Sequence, residues 1–329
     1  MAQASRRVLA RSLRDVTDIN PDELRGERAK PVLVPVPEST PLPAVQDARS
    51  ACQVICVASG KGGTGKTVVT TNLAVSLVQE GLDVLLFDAD LGLANAHVLL
   101  GVSPPYDISQ VVSGERRLDE VVVECHAGVK LISGGSGFSD LAELKDWQIR
   151  NIADQLKVYE DHADIILVDL SAGISPQVMR FINTAHDVIV VTTPDVTALL
   201  DAYATIKSMA RTRERFEVRV VVNRAKDEAE ARAAFDKINA VVARHLSGVT
   251  LNLFEWIPQN WYVQNSVNMR QPVVLLHPKS FVSRTFAGMA TRIKDDNKKW
   301  KERIASESGV KPESGALSFA RRLARMVFK

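Results

Sequence analysis

The run GKGGTGKT, Gly60 to Thr67, contains the residue types that bind phosphate groups. Closely spaced glycines let successive backbone N–H groups converge on phosphate oxygens. Lys66 can reach the terminal phosphates of a nucleotide, and the Thr67 hydroxyl can bind Mg²⁺. The run stands before a stretch with helical spacing, so a helix N-terminus adds its partial positive charge. The predicted nucleotide-binding residues of this loop are Gly60, Lys61, Gly62, Gly63, Thr64, Gly65, Lys66 and Thr67.

Three aspartates end apolar runs elsewhere in the chain. Asp88 and Asp90 close DVLLFDAD, and Asp169 follows the apolar residues of ILVD. If these runs are parallel strands, the carboxylates emerge at the carboxyl edge of the sheet, beside the loop. We predict that Asp169 holds a magnesium-bound water and that Gly173 lets the next segment approach the γ-phosphate. For Asp88 and Asp90, a helix cap is the alternative.

The elements that position these residues follow from the apolar runs. Short continuous runs of Val, Ile and Leu alternate with stretches of helical periodicity, as is typical of strands buried on both faces of a parallel sheet. We predict a doubly wound, mostly parallel α/β sheet in one core domain, residues 51–293. The predicted strands begin at Gln53, Asp83, Val129, Ala163, Asp187 and Glu217.

The composition narrows the class of protein. The chain has 329 residues, 46% of them hydrophobic, which excludes disorder throughout. The 41 basic and 39 acidic residues nearly balance and give no general nucleic-acid signature. Three cysteines, Cys52, Cys56 and Cys125, form neither a disulfide framework nor a CxxC pair, which favours a reducing cytosol. The sequence has no apolar run of roughly 18 residues, so it predicts no membrane-spanning helix.

Lys61 makes the loop more specific, because KGGTGKT resembles the deviant Walker A motif, KGGxGK[ST], of the ParA/MinD ATPases. The resemblance implies a P-loop NTPase fold of the SIMIBI type that uses ATP or ADP with Mg²⁺ and forms a homodimer in the ATP state. It implies that Lys61 reaches the nucleotide of the partner subunit, that Asp90 positions the attacking water and that Asp88 lies near the magnesium shell. The implied catalytic residues are Lys61, Lys66 and Asp90, and the implied metal-site residues are Thr67, Asp88 and Asp169.

The same resemblance assigns the adenine site. Asn223 and Arg224 end the run VVVNRA, and Pro258 belongs to IPQN. In the family the asparagine bonds the adenine edge, the arginine lies against the base, and the proline segment lines the other side. Asparagine is also an ordinary residue at the end of a strand.

Within the family, residues 52–293 resemble most the MinD-like flagellar number regulators of the FlhG or FleN type. Residues 1–30 are predicted to form a basic helix, in which VLARSLR partly resembles a segment that activates an FlhF-type GTPase. A solvated basic helix is the alternative. Prolines make residues 31–50 a linker.

The other end of the chain is predicted to contact a membrane. Residues 294–315 are charged and form a predicted linker. Residues 316–329 place an apolar arc beside Arg321, Arg322 and Arg325, which suits an anionic membrane surface. A helix that packs on the protein's own core has the same pattern.

These patterns predict a cytoplasmic ATPase that dimerises on ATP binding, attaches reversibly to the inner membrane surface and controls flagellar number or placement. One alternative is a ParA-like partitioning ATPase that binds DNA through Arg211, Arg213 and Arg215. Another is a nucleotide-binding scaffold for a secretion or pilus machine. The membrane-type helix disfavours DNA as a partner, and the lack of CxxC disfavours an iron–sulfur carrier.

Overall fold

The computed structural model describes residues 52–90, 94–135, 146–160 and 162–307. Within them, strands and helices alternate as predicted, and no helix there is long and apolar enough to span a bilayer. The strands are β1 Gln53–Ala58, β2 Val84–Ala89, β3 Val123–Glu124, β4 Lys130–Ile132, β5 Ile165–Leu170, β6 Asp187–Thr192, β7 Phe216–Ala225 and β8 Val249–Pro258. The α-helices are α1 Lys66–Gln79, α2 Ala96–Leu99, α3 Ile108–Ser113, α4 Leu118–Val121, α5 Asp146–Glu160, α6 Pro176–Thr184, α7 Val196–Met209, α8 Glu228–His245, α9 Trp261–Asn268, α10 Val273–Leu276 and α11 Phe281–Glu307, and His126–Gly128 form a 3₁₀ turn.

All eight strands form one sheet, in the order β3-β4-β2-β5-β1-β6-β7-β8. Every pair in it is parallel except β3 with β4, so the predicted doubly wound, mostly parallel sheet is confirmed. Strand β1, which leads into the glycine loop, lies between β5 and β6. The carboxyl ends of β1, β2 and β5 therefore meet at one edge.

The continuous apolar runs are buried because each strand packs against helices on both faces. In β1, Val54 and Cys56 belong to one apolar cluster, and Ile55 and Val57 belong to the other. Helix α1 packs in the second cluster. Alternate side chains of a strand point to opposite faces, so both faces of the sheet bury apolar surface.

Strand β8 adds to the predicted strands. Thr250 and Asn252 are exposed on either side of the buried Leu251, so this part of β8 alternates and is not a continuous apolar run. This pattern follows from its position at the edge of the sheet, where it pairs only with β7.

The predicted linker start at residue 294 is wrong, because α11 continues to Glu307. Asn297 is buried, and its Nδ2 donates to Gln53 Oε1 over 3.1 Å and to the Asp164 carbonyl over 3.3 Å. One turn later Lys301 pairs with the Asp164 carboxylate. The composition resembles a linker because most side chains face water, but one helical stripe is attached to the amino edge of the sheet. Residues 308–329 lie outside the described residues, as do residues 1–51.

Candidate functional site

The glycine loop joins β1 to α1 at the carboxyl edge of the sheet. Gly63 and Gly65 have φ of 80° and 86°, a region that glycine adopts without steric cost. Gly65 caps α1, so the free N–H groups of that helix begin at Lys66. A loop of this shape at a helix N-terminus is an anion-binding site for phosphate groups.

The lysine, threonine and aspartate predicted for phosphate and magnesium converge in the structure. Lys66 Nζ lies 2.8 Å from Asp169 Oδ1, and Thr67 Oγ1 donates to Asp169 Oδ2 over 2.7 Å. Lys66 and Asp169 are both buried. Hydroxyl and carboxylate oxygens are the ligands Mg²⁺ prefers, so Thr67 and Asp169 fit a site that holds the ion directly or through water. Of the three predicted metal-site residues, Thr67 and Asp169 are the two whose oxygens lie side by side in this way.

Thr70 is a site residue that the sequence interpretation missed. Its Oγ1 lies 2.7 Å from Asp169 Oδ1 and 2.9 Å from the Lys66 carbonyl oxygen, so its one hydroxyl hydrogen is shared between two acceptors. The residue is fully buried. Thr70 follows Lys66 by one helical turn, and this spacing was the available signal. Three side chains of α1 thus hold the Asp169 carboxylate.

We expect Thr70→Val to lower the free energy of unfolding by about 1–2 kcal/mol, because Asp169 loses a buried hydrogen-bond donor. Urea unfolding of the nucleotide-free protein measures this change. Thr70→Ser keeps the hydroxyl and serves as the matched control, with most of the stability retained. A Thr70→Val protein as stable as the unmodified chain would show that the hydroxyl does not stabilise the Asp169 carboxylate.

Asp88 lies beside Asp169, since the two residues are register partners in the β2–β5 pair. Its carboxylate is fully buried and accepts backbone N–H groups of Asp90, Asn95 and Ala96 at 3.0–3.2 Å. Burial and then the negative charge of Asp169 raise the pKa of Asp88 to about 7. Asp88 therefore makes the hydrogen bonds of a helix cap, which is the alternative interpretation of this residue. The predicted place of Asp88 near the magnesium shell stays a prediction.

Asp90 is half-buried at the end of β2, at the same edge of the sheet. Its N–H donates to Asp88 Oδ1 over 3.2 Å, which ties its backbone to the buried carboxylate. Nearby, the N–H of Gly173 donates to the Ser59 carbonyl over 2.9 Å, so the segment after β5 touches the end of β1. The predicted γ-phosphate segment thus borders the loop, and the predicted water-positioning residue lies at the same edge of the sheet.

Lys61 is placed differently from Lys66. It is 43% exposed, and its Nζ donates to Thr197 Oγ1 over 2.6 Å and lies 3.5 Å from Asp195 Oδ2. Asp195 caps α7, and the N–H of Thr197 and then the charge of Lys61 hold its pKa below the ordinary value. The first turn of α7 therefore holds the Lys61 side chain within its own subunit.

The three adenine-site residues lie on neighbouring strand ends. Asn223 is buried, and its Nδ2 donates to the Thr64 carbonyl over 2.7 Å, so it supports the glycine loop. Arg224 is exposed with φ of 58°, and Pro258 ends β8 as the register partner of Ala225. The adenine contacts of Asn223, Arg224 and Pro258 all stay predictions.

Comparison with known sequences identifies the family. Residues 50–294 match the sequence model of the ParA family described as NUBPL iron-transfer P-loop NTPase. The chain belongs to the ParA/MinD family of P-loop NTPases. Two curated relatives of this ParA/MinD chain are flagellar, the antiactivator FleN of Pseudomonas aeruginosa and the flagellum site-determining protein YlxH of Helicobacter pylori. FleN is 35% identical, covering 73% of this chain and 86% of FleN, and YlxH is 31% identical, covering 74% and 82%.

A solved structure agrees with this ParA/MinD assignment. The cell division ATPase MinD of Pyrococcus furiosus superposes with a TM-score of 0.62 at 26% identity, covering 74% of this chain and 98% of that one. The predicted resemblance and the predicted use of ATP or ADP with Mg²⁺ are confirmed by these matches. The three cysteines are buried, and the described residues contain no group of three or more His, Cys, Asp or Glu placed to hold a metal ion.

Proposed function

We propose that this chain hydrolyses ATP, dimerises in the ATP state, attaches reversibly to the inner membrane surface and controls flagellar number or placement. One observation carries the proposal. Lys66 Nζ and Thr67 Oγ1 each lie within 2.8 Å of the Asp169 carboxylate. Their loop also carries Lys61, in a chain 35% identical to an antiactivator FleN. The relatives FleN and YlxH have flagellar names, which supports the cellular task.

Each residue has a task in hydrolysis. Lys66 neutralises charge on the terminal phosphates, and Asp90 orients the attacking water. A bound Mg²⁺ supplies charge neutralisation on the phosphates, with Thr67 and Asp169 as the residues that hold it. When nucleotide binds, Lys66 exchanges its contact with Asp169 for phosphate oxygens, and Asp169 keeps the hydroxyls of Thr67 and Thr70.

We expect Lys61→Ala to retain Mg-ADP binding and to lose ATP hydrolysis by at least about a hundredfold, because the variant lacks the cation given to the partner subunit. The exposed contacts of Lys61 with Thr197 and Asp195 are worth little, so the side chain can leave them for a nucleotide. A thermal shift measures ADP binding, and phosphate release measures hydrolysis.

A measurement of the oligomeric state tests the proposed role of Lys61 without relying on ATP hydrolysis. Light scattering with ATP compares Asp90→Ala, expected to trap the dimer, with the Lys61→Ala/Asp90→Ala double variant, expected to stay monomeric. A dimer of the double variant, or full hydrolysis by Lys61→Ala, would refute the role of Lys61 across the interface.

Membrane attachment is proposed for residues 316–329. Dimerisation doubles a weak anchor and thereby makes attachment depend on ATP. Sedimentation with phosphatidylglycerol liposomes in ATP and in ADP tests this, using the full chain and a chain lacking residues 316–329. The truncated chain should bind ATP and stay in the supernatant, and its retention on liposomes would contradict the proposal.

The same experiment with duplex DNA tests the partitioning alternative. Of the three arginines predicted for DNA binding, Arg213 already makes hydrogen bonds within the protein. It donates to the carbonyls of Ile182 and Ala185 at the end of α6. ATP-dependent capture by DNA alone would favour that alternative.

The proposed activation of an FlhF-type GTPase by residues 1–30 is tested by adding a peptide of these residues to the GTPase. An unchanged rate of GTP hydrolysis would contradict this role of residues 1–30.

A further inference from the structure

Helix α9 exposes aromatic side chains that are not among the predicted nucleotide-site residues. Trp261 is 64% exposed, Tyr262 is 41% exposed and Met269, directly after the helix, is 50% exposed. The rings of Trp261 and Tyr262 lie 6.1 and 4.6 Å from the ring of His277, and Asn265 Nδ2 lies 3.1 Å from His277 Nε2. These contacts hold two large rings in place at the surface, so little side-chain entropy remains to be lost on binding.

The chain around α9 is positively charged. Residues 256–294 contain five Lys or Arg and no Asp or Glu. Arg292 pairs with Glu255, and Lys294 pairs with Glu80. The other three cations are exposed and make no ion pair with any residue in the described parts of the chain. They are Arg270, Lys279 and Arg284.

These cations border the aromatic residues. Arg270 directly follows Met269 at the end of α9, and Lys279 stands two residues after His277. Arg284 Nη1 donates to the Lys279 carbonyl over 2.9 Å, which places its guanidinium beside the same turn. The basic–aromatic surface is defined here as Trp261, Tyr262, Met269, Arg270, Lys279 and Arg284.

The composition of this surface matches a protein interface better than a nucleic-acid or lipid interface. Trp, Tyr, Met and Arg are enriched at the centres of protein interfaces and among their hot spots. Gln264 and Asn268 lie on the face of α9 that carries Trp261, and carboxamides are costly to bury among acyl chains. Three unpaired cations are fewer than the roughly six to ten phosphate contacts typical of a DNA-binding protein.

We infer that the basic–aromatic surface is a docking site for an acidic protein segment that carries apolar side chains. Its carboxylates would pair with Arg270, Lys279 and Arg284, and its apolar side chains would pack on Trp261, Tyr262 and Met269. Charge complementarity selects an acidic partner, and the fixed rings supply the contact area. This docking is independent of ATP hydrolysis and of the membrane helix.

Fluorescence anisotropy tests the site with a labelled acidic amphipathic peptide built from Glu, Leu and Phe, added to the full chain with Mg-ADP. A second peptide has Gln at every Glu position. We expect the acidic peptide to bind at least about tenfold more tightly than the Gln peptide. We expect Trp261→Ala/Tyr262→Ala to weaken its binding at least about tenfold, and Arg270→Glu/Lys279→Glu to do the same.

A matched control separates this surface from net charge. Lys237 and Arg244 are exposed cations on α8, so Lys237→Glu/Arg244→Glu makes an equal charge change elsewhere. This variant should bind the acidic peptide as tightly as the unmodified chain. Mg-ADP thermal shifts of every variant check that the fold and the nucleotide site are intact.

Four results would overturn the inference. The first is no measurable binding of the acidic peptide, and the second is binding of the Gln peptide as tight as that of the acidic peptide. The third is a loss of binding in the α8 control variant as large as in the surface variants, and the fourth is unchanged binding in both surface variants. Phosphatidylglycerol vesicles and duplex DNA are tested in parallel. Capture by either of these that is lost in the Trp261→Ala/Tyr262→Ala and Arg270→Glu/Lys279→Glu variants, without peptide binding, would reassign the surface to a lipid or a nucleic acid.

Discussion

Replacing Lys66 by alanine is expected to abolish nucleotide-dependent function and to destabilise the protein at the same time. Lys66 Nζ lies 2.8 Å from Asp169 Oδ1, and both side chains are buried. Removing one partner of a buried ion pair costs about 3–5 kcal/mol, since a desolvated charge remains. The loss of a cation on the terminal phosphates should lower ATP hydrolysis at least about a thousandfold.

The double effect is measured in one preparation. Urea unfolding of nucleotide-free protein gives the stability loss, and the thermal shift with Mg-ADP reports binding. Lys61→Ala is the matched control, because Lys61 belongs to the same loop but makes only exposed contacts. It should retain stability and the ADP response. A Lys66→Ala protein that keeps the full thermal shift with Mg-ADP would show that this lysine does not contact the nucleotide.

Gly60→Ala is expected to cost about 3 kcal/mol of stability, although Gly60 has no conformation that requires glycine. A Cβ atom at Gly60 would lie 2.2 Å from the backbone carbonyl carbon and oxygen of Asp201, in α7. A helix backbone cannot move away as a flexible side chain would, so the loop and α7 must separate. Since the first turn of α7 also holds Lys61, the shift would move that side chain as well.

Gly62→Ala is the control for this effect. A Cβ atom at Gly62 meets no heavy atom within 4 Å, so we expect the unfolding free energy of the nucleotide-free protein to change by less than about 0.5 kcal/mol. Urea denaturation of the two variants and the unmodified chain measures the difference. Equal stability of Gly60→Ala and Gly62→Ala would contradict the close packing of the loop on α7.

Prediction from the sequence worked where neighbours along the chain decide the structure. The glycine loop, Lys66 and Thr67 occupy eight consecutive residues, and the strand before them and the helix after them follow from local periodicity. Asp169 is recognisable because it directly follows the apolar residues of a buried strand. Thr70 was within reach of the same reasoning, since it lies one helical turn after Lys66.

The prediction that a linker begins at residue 294 was wrong for a related reason. Composition alone describes residues 294–307 as a polar stretch, and it does not show that Asn297 and Lys301 form one stripe. That stripe becomes meaningful only when Gln53 and Asp164 are placed opposite it, at the amino edge of the sheet. Strand β8 was missed because an edge strand needs fewer apolar residues than a central one.

By itself the sequence determined the phosphate loop, the strand-ending aspartates, the sheet class and the family, because these depend on residue type and short spacing. The tertiary structure decided which groups those residues meet. Asp88 caps a backbone turn beside Asp169, Asn223 holds the Thr64 carbonyl, and Lys61 lies against α7. The position of Asp88 beside Asp169 and the contacts of Asn223 and Lys61 join residues far apart in the chain. These partners are set by the strand order that places β1 between β5 and β6. Spacing along the chain carries no information about that order until the two faces of the sheet are packed.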